Sequence, residues 1–326
     1  MSFSTNVKKE LAAVIAPARH CRLAELAAIL GICGDIYTTD SGARYIQIIS
    51  EHDYVIHKSQ ILIKKSFDYE SEVAVRYNTV TKSKTYILTV NQSSVAHKIL
   101  LSTRIMDVNG RIKPDMALVD TVGISNICCK RAFLRGAFIT SGSISDPEKS
   151  YHLEIAALGP EKAKQLMDSI NSFDLDARIV ERRRSQVVYL KEGSQITDML
   201  NVMGAHHSLL EMENVRVLKD VRNSINRKVN CETANLNKTV SAAYKQIADI
   251  NYINKVMGLS KLEPHLEELA RLRLQFTDIP LKELGEKLSE PVGKSGVNHR
   301  LRKISEIAER LREQSHQEEN YDSESN

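Results

Sequence analysis

The run of this sequence best suited to meeting an anionic ligand is PVGKSGVNHRLRKI, residues 291–304, which carries Lys294, Arg300, Arg302 and Lys303 and no acid. Cations held together without acids are what a helix entering the major groove of double-stranded DNA requires. Asn298 can pair with adenine and Arg302 with guanine through two hydrogen bonds each, Lys294 and Ser295 at the helix start are placed for phosphate, and His299 projects beside them. The same charges also fit a solvated helix face. A second basic stretch holds Arg222, Arg227 and Lys228, with no acid among residues 221–231. Its Asn and Arg side chains suit phosphate and base edges, but a plain scaffold helix explains its helicity equally well. A third group comprises Arg182, Arg183 and Arg184 on a strand, and Lys64, Lys65, Lys82 and Lys84 flank strands of the first half. Alternation puts Arg182 and Arg184 on one face and Arg183 on the other. Gly293-Lys294-Ser295 is not a phosphate loop, because Leu288 stands where that motif requires Gly and no strand precedes it.

These groups must be positioned by more than one core, since 326 residues exceed what a single hydrophobic core usually organises. The formal net charge is only +4, but five of the 41 acids fall in residues 313–326, leaving 45 basic against 36 acidic residues in 1–312. Five cysteines form an odd set without CxxC spacing, and two of them, Cys128 and Cys129, are neighbours; neither a disulfide framework, a metal site nor a cofactor is read from them. Lys8 and Lys9 precede the apolar run 11–16, but Glu10 and its brevity argue against a signal peptide. The pattern predicts instead an amphipathic helix with Val7, Leu11, Val14 and Ile15 on one face and Ser4 or Thr5 as its cap. No run is long enough for a membrane span, so the expected location is the cytoplasm.

From residue 22 the periodicities predict the order αββαββα: a helix to Cys33, a break at Gly34, a hairpin, a helix over 52–66, two strands (72–77 and 85–90) and a helix from about Ser94. The order recurs with a helix over 128–141, a break at Gly142, strands, a helix over 160–172, strands over 177–183 and 186–192, and a helix from Ser194. The break glycines lie 108 residues apart. The opening helices carry small residues spaced by four: Ala24 and Ala28, Ala27 and Gly31, then Ala132, Gly136 and Thr140. Such stripes let two helix backbones approach closely. Strand patterns stop after about Val215, and a helical stretch over 222–258 follows. Three helices then come with a short turn before the last: 263–275 with Leu266, Leu269, Ala270 and Leu274 on one face, 280–288 with Leu281, Leu284 and Leu288 buried, and a helix capped by Ser295 with the stripe Val297, Leu301, Ile304, Ala308 and Leu311. This is a helix-turn-helix layout.

FLRGAFITSGSIS, residues 133–145, resembles the signature helix of LAGLIDADG homing endonucleases, and LAAILGICGDI, residues 26–36, resembles a decayed first copy. The whole chain through residue 312, including NCETAN at 230–235, resembles the bacterial WhiA family of transcription regulators. The resemblance implies an α+β fold: a duplicated αββαββα saddle (halves 1–107 and 108–215), an all-α helix-turn-helix domain (216–312), and, from composition, an acidic disordered tail (313–326). In the nucleases a carboxylate just before each final glycine holds divalent cations at the scissile phosphates. Here those positions fall on Cys33 and Ser141, and neither is a carboxylate. Asp35, on a chain leaving the helix, points its side chain elsewhere, and the second half offers only Ser143 there, with Asp146 further on.

The resemblance therefore implies a non-catalytic, sequence-specific DNA-binding regulator, nucleoid-associated, with no small-molecule substrate and with roles in sporulation, cell division or chromosome segregation. The alternatives are a site-specific endonuclease, or a saddle that docks RNA polymerase or another regulator while the C-terminal domain alone contacts DNA.

Overall fold

Helix α1 (Phe3–Ala13) is capped by Ser2, whose Oγ accepts the Thr5 N–H at 3.2 Å, rather than by Ser4 or Thr5. It ends before Val14 and Ile15, because the buried Lys58 ammonium takes the carbonyls of Leu11 (3.1 Å) and Val14 at its C-terminus. The expected order then appears twice. The first copy is α2 (Arg19–Cys33), β1 (Gly34–Thr38), β2 (Arg44–Ser50), α3 (Asp53–Phe67), β3 (Glu72–Asn78), β4 (Ser83–Val90) and α4 (Ser93–Ser102). The second is α5 (Ile127–Ser141), β5 (Gly142–Ile144), β6 (Leu153–Ala157), α6 (Pro160–Asn171), β7 (Arg178–Arg182), β8 (Ser185–Leu190) and α7 (Gly193–Met203). Each copy forms one antiparallel four-stranded sheet, ordered β1-β2-β4-β3 and β5-β6-β8-β7. The computed structural model describes residues 2–40, 42–113, 115–182 and 185–323, with side chains through residue 315. Arg183 and Arg184 lie outside the described residues.

The two copies share one core, organised around α2 and α5. Both helices are buried on most sides, α2 from Ala24 through Gly31 and α5 from Ala132 through Ile139. Gly136 sets the closeness of their approach: a Cβ there would lie 2.5 Å from the Glu25 carbonyl oxygen and 3.1 Å from the Ala28 Cβ. Two of the residues in the small-residue stripes thus meet at the crossing. The same place holds charges that periodicity did not anticipate. Glu25 is fully buried, and its carboxylate accepts from Lys58 Nζ (2.9 Å), Arg135 Nε (2.9 Å) and Arg135 Nη2 (3.1 Å). Arg135 also donates to the Met203 carbonyl at 3.1 Å, which ties α7 to the pair.

The chain forms two units, Met1–Asp220 and Val221–Asn326, and α8 (His206–Val256) runs from the first into the second. In the second unit α9 (Pro264–Gln275), α10 (Leu281–Glu286) and α11 (Lys294–Ser323) enclose a core of Leu266, Leu269, Ala270, Leu284, Leu288, Val297, Leu301, Ile304 and Ala308, together with Ile250 and Ile253 of α8. The predicted stripe of the last helix is buried, with Leu311 partly so. Ser295 is not its cap: the helix starts at Lys294, and the Gly293 carbonyl accepts the Val297 N–H at 3.1 Å. The turn before α11 is held by Glu268, which accepts the Ser289 N–H (2.6 Å) and hydroxyl (3.0 Å). Gly285 lets that turn fold back on α10, since a Cβ there would strike the Val292 carbonyl. Helix α11 continues to Ser323, into the segment that composition had assigned to a disordered tail. Among the described residues, no helix is long and apolar enough to cross a membrane.

Removing the Glu25 charge leaves two buried cations uncompensated, a change that typically costs about 3–5 kcal/mol. Glu25→Gln is expected to lower the unfolding free energy measured by urea titration by that order, whereas exposed Glu70→Gln leaves it nearly unchanged.

Candidate nucleic-acid interface

The burial of Val297, Leu301, Ile304 and Ala308 fixes which side chains α11 turns outward. Lys294, Ser295, Asn298, His299, Arg302 and Lys303 are exposed, and none has an ion-pair or side-chain hydrogen-bond partner among the described residues. They do not share a single face. At 100° per residue, Ser295, His299, Arg302 and Lys303 spread about the direction opposite the buried stripe. Asn298 lies to one flank, where with Leu301, Arg302 and Ser305 it lines a shallow groove against Ala242, Lys245 and Gln246 of α8. Arg300 falls on the other flank and is half-buried, so the structure separates it from Arg302. Lys245 is the addition that the sequence reading missed. It adjoins Asn298 and Arg302 in the groove and pairs with Glu309 at 3.2 Å.

Arg222, Arg227 and Lys228 are also exposed, in a part of α8 where residues 221–242 are exposed throughout. They point to three different sides of the helix, and at 1.5 Å per residue Arg222 lies about 30 Å along α8 from Ala242. They form no common patch with α11. The apolar residues Val221, Ile225, Val229, Leu236 and Val240 recur at helical spacing along the same stretch and are exposed.

Among the described residues, the faces of the two sheets turned away from the core carry little unpaired positive charge. Opposite Ile48, Leu88 and Val90, the first sheet shows Asp35, Tyr37, Gln47, Ile49, Thr85, Ile87, Glu72 and Arg76. In the second, Arg182 pairs with Glu154 at 2.9 Å and Arg178 with Asp176 at 2.8 Å. Lys64 is bound by Asp68 (2.9 Å) and Glu70 (3.0 Å), whereas Lys65, Lys82 and Lys84 are exposed at the margins.

Cys33 ends α2 and Ser141 ends α5, each just before its glycine. Burial pushes the Cys33 thiol up to about 11, against the opposing pull of Lys8 and Lys162, so it is neutral at pH 7. The Ser141 hydroxyl donates to the Ala156 carbonyl at 2.7 Å. Asp35 is exposed and accepts the Tyr37 hydroxyl at 2.8 Å. Lys8 and Lys162 are themselves buried, with their pKa values lowered by desolvation, that of Lys162 to about 8, and Lys162 donates to the Gly31 carbonyl. Where a nuclease needs an acid to hold a divalent cation, this chain has a neutral thiol in the field of two ammonium groups.

A pair of crossing helices, each followed by half of a duplicated αββαββα layout, and a separate helix-turn-helix unit define a LAGLIDADG-like saddle with an appended helix-turn-helix domain. Family models agree: the WhiA N-terminal LAGLIDADG-like domain matches residues 19–106, the WhiA LAGLIDADG-like domain 130–222 and the WhiA C-terminal HTH domain 225–308. The chain is 47% identical to the probable cell division protein WhiA of Lachnoclostridium phytofermentans over 313 residues, 96% of this chain and 100% of that one. It is 44% identical to the protein of the same name from Alkaliphilus metalliredigens, covering 96% and 99% of the two chains. The crystal structure of full-length WhiA from Thermatoga maritima matches with a TM-score of 0.58 at 26% identity, over 95% of this chain and 99% of that one. The chain belongs to the WhiA family.

Because the Lys162 pKa falls from 10.5 to about 8 on folding, the unfolded state binds more protons between those values. The penalty for burying the cation is fully present at pH 7 and is relieved as pH rises from about 8 to 10.5. Relative to Lys162→Met, the wild-type chain is expected to gain stability over this window, by up to about 3 kcal/mol. Urea unfolding at pH 7 and pH 10 measures it.

Proposed function

We propose that this protein is a sequence-specific DNA-binding transcription regulator whose second unit reads double-stranded DNA with the N-terminal part of α11. The observation that carries the reading is the exposed set Lys294, Arg302 and Lys303, with Ser295, Asn298 and His299, presented without a neutralising partner on the last helix of a helix-turn-helix core. Cations so placed gain by displacing counterions from phosphates, and Arg302 and Asn298 have the donor geometry for base edges. Lys294 and Ser295 in the first turn of the helix are placed for backbone phosphate. Arg300, on the other flank of α11, is left for phosphate rather than base contact, and Arg222, Arg227 and Lys228, which point to three sides of α8, could reach phosphate only one at a time. The relatives' name, probable cell division protein, supports a role in cell division, and action at the nucleoid follows only from the proposed DNA binding.

The saddle in this reading does not cut. Magnesium requires charged oxygen ligands, and the two acid positions offer Cys33 and Ser141, the latter with its hydroxyl proton engaged. A second reading concerns what the saddle does instead: it docks a protein such as RNA polymerase or another regulator. The scarcity of unpaired cations among the described residues of its open sheet faces favours that over phosphate binding.

Gel-shift titration of the full chain against fragments recovered by chromatin immunoprecipitation is the test. Arg302→Ala is expected to weaken specific binding by about 1–3 kcal/mol, and Arg76→Ala on the saddle to leave it unchanged. Equal affinity in wild type and Arg302→Ala removes Arg302 from the reading set.

Supercoiled plasmid incubated with the protein and magnesium or manganese is expected to stay intact. Nicking abolished by Asp35→Ala would instead place a working metal at the end of α2.

A further inference from the structure

The other ends of the crossing helices hold a constellation that the function above does not use. His20 and Cys21 are the second and third residues of α2, and Cys128 and Cys129 are the second and third residues of α5. Each pair member is related to its counterpart by 108 residues, the spacing of the break glycines, so the duplication itself brings the four together. His20 Nδ1 lies 3.1 Å from Cys129 Sγ, 3.4 Å from Cys21 Sγ and 4.0 Å from Cys128 Sγ. The four ligand atoms all lie within 4.8 Å of one another.

We propose that His20, Cys21, Cys128 and Cys129 form a closed, structural zinc site that ties the first repeat to the second. With zinc–sulfur bonds of about 2.3 Å and zinc–nitrogen bonds of about 2.0–2.1 Å, the donor atoms of a tetrahedral site stand about 3.6–3.8 Å apart. The observed separations bracket that value, so the ion fits with small side-chain adjustments. Three sulfurs and one imidazole are the donor set of zinc rather than of magnesium or calcium, which take oxygen. Four protein ligands leave no open position for a substrate, so the site stabilises rather than catalyses. Both helices present their first turns to the cluster, and neither Ala18 nor Asn126 caps its helix through a side chain, so the partial positive charge of the free N–H groups favours thiolates there. Two ligands are buried and two, His20 and Cys128, are exposed, which gives the ion a way in.

Without a cation, burial and the crowding of the thiols outweigh the pull of the helix N-termini. Burial and the neighbouring thiols push the Cys21 thiol up to about 12, and Cys129 is raised for the same reasons. A divalent ion reverses this by neutralising the thiolates, with release of their protons.

The test is cobalt substitution in the full chain, purified under reducing conditions and stripped with a chelator. Cobalt is expected to bind at one ion per chain, giving a thiolate charge-transfer band and the intense visible bands of tetrahedral coordination, and equimolar zinc is expected to bleach both. Cys128→Ser and His20→Ala, changes at exposed positions whose folding circular dichroism checks, are expected to lose the tetrahedral spectrum or to weaken it together with affinity. Cys231→Ser, at an exposed cysteine outside the cluster, is expected to match wild type. Chelation is further expected to lower the thermal midpoint of wild type but not of Cys128→Ser. A wild-type chain showing no tetrahedral cobalt spectrum overturns the proposal, as does a Cys128→Ser spectrum equal to that of wild type. A disulfide forming among these cysteines in preference to zinc uptake, seen by intact mass, also overturns it.

Discussion

The close crossing of α2 and α5 is the constraint from which the rest of the first unit follows. Gly136 removes the side chain that would keep the Glu25 carbonyl at a distance, and Ala28 fills the space beside it. Once the backbones are that close, Glu25 is excluded from water, and its charge is tolerable only because Lys58 and Arg135 reach it from α3 and α5. The triad couples elements that the sheets alone do not. Lys58 closes the end of α1, and Arg135 holds the last turn of α7 through Met203. A buried ion pair adds little net stability over apolar side chains of similar volume, whereas removing one partner is costly.

That crossing also orders the chemistry along its length. At the C-terminal end of α2 stands Cys33, within the field of buried Lys8 and Lys162. At the N-terminal ends of both helices lie three sulfurs and an imidazole. Positive charge at one end and soft donors at the other are the reverse of what phosphodiester cleavage by hard cations needs. The open faces of the sheets, where Arg178 and Arg182 are already paired, add to the contrast with α11, whose outward cations are unpaired.

Much of the architecture was legible because burial imposes a period. The stripe Val297-Leu301-Ile304-Ala308 and the alternation of β2, β4, β6 and β8 follow from one-sided burial, and the αββαββα order follows from where those periods change. Helix ends were less legible. Ser2, Ser4 and Thr5 are all competent caps, and the choice of Ser2 depends on where Phe3, Val7 and Leu11 meet the core. The sides taken by the individual cations of α11 follow from helical rotation, since consecutive cations diverge by 100° per residue and Arg300 turns to the flank. Lys245 carried no local signal, because its place beside Arg302 arises from a helix about 55 residues earlier in the chain.

The sequence by itself determined the elements, the duplication with its 108-residue spacing and the basic, acid-free stretch before Ile304, and through its resemblance to the LAGLIDADG signature it implied the loss of acids at Cys33 and Ser141. These are properties of residue type and local periodicity, which a chain carries whether or not it is folded. Only the tertiary structure decided that Glu25 would be buried against Lys58 and Arg135, that Arg182 would be spent on Glu154, and that His20 and Cys21 would meet Cys128 and Cys129. In each case the partners are separated by tens of residues or more in the chain, and their approach is fixed by the packing of helices and sheets, to which no local spacing in the sequence refers.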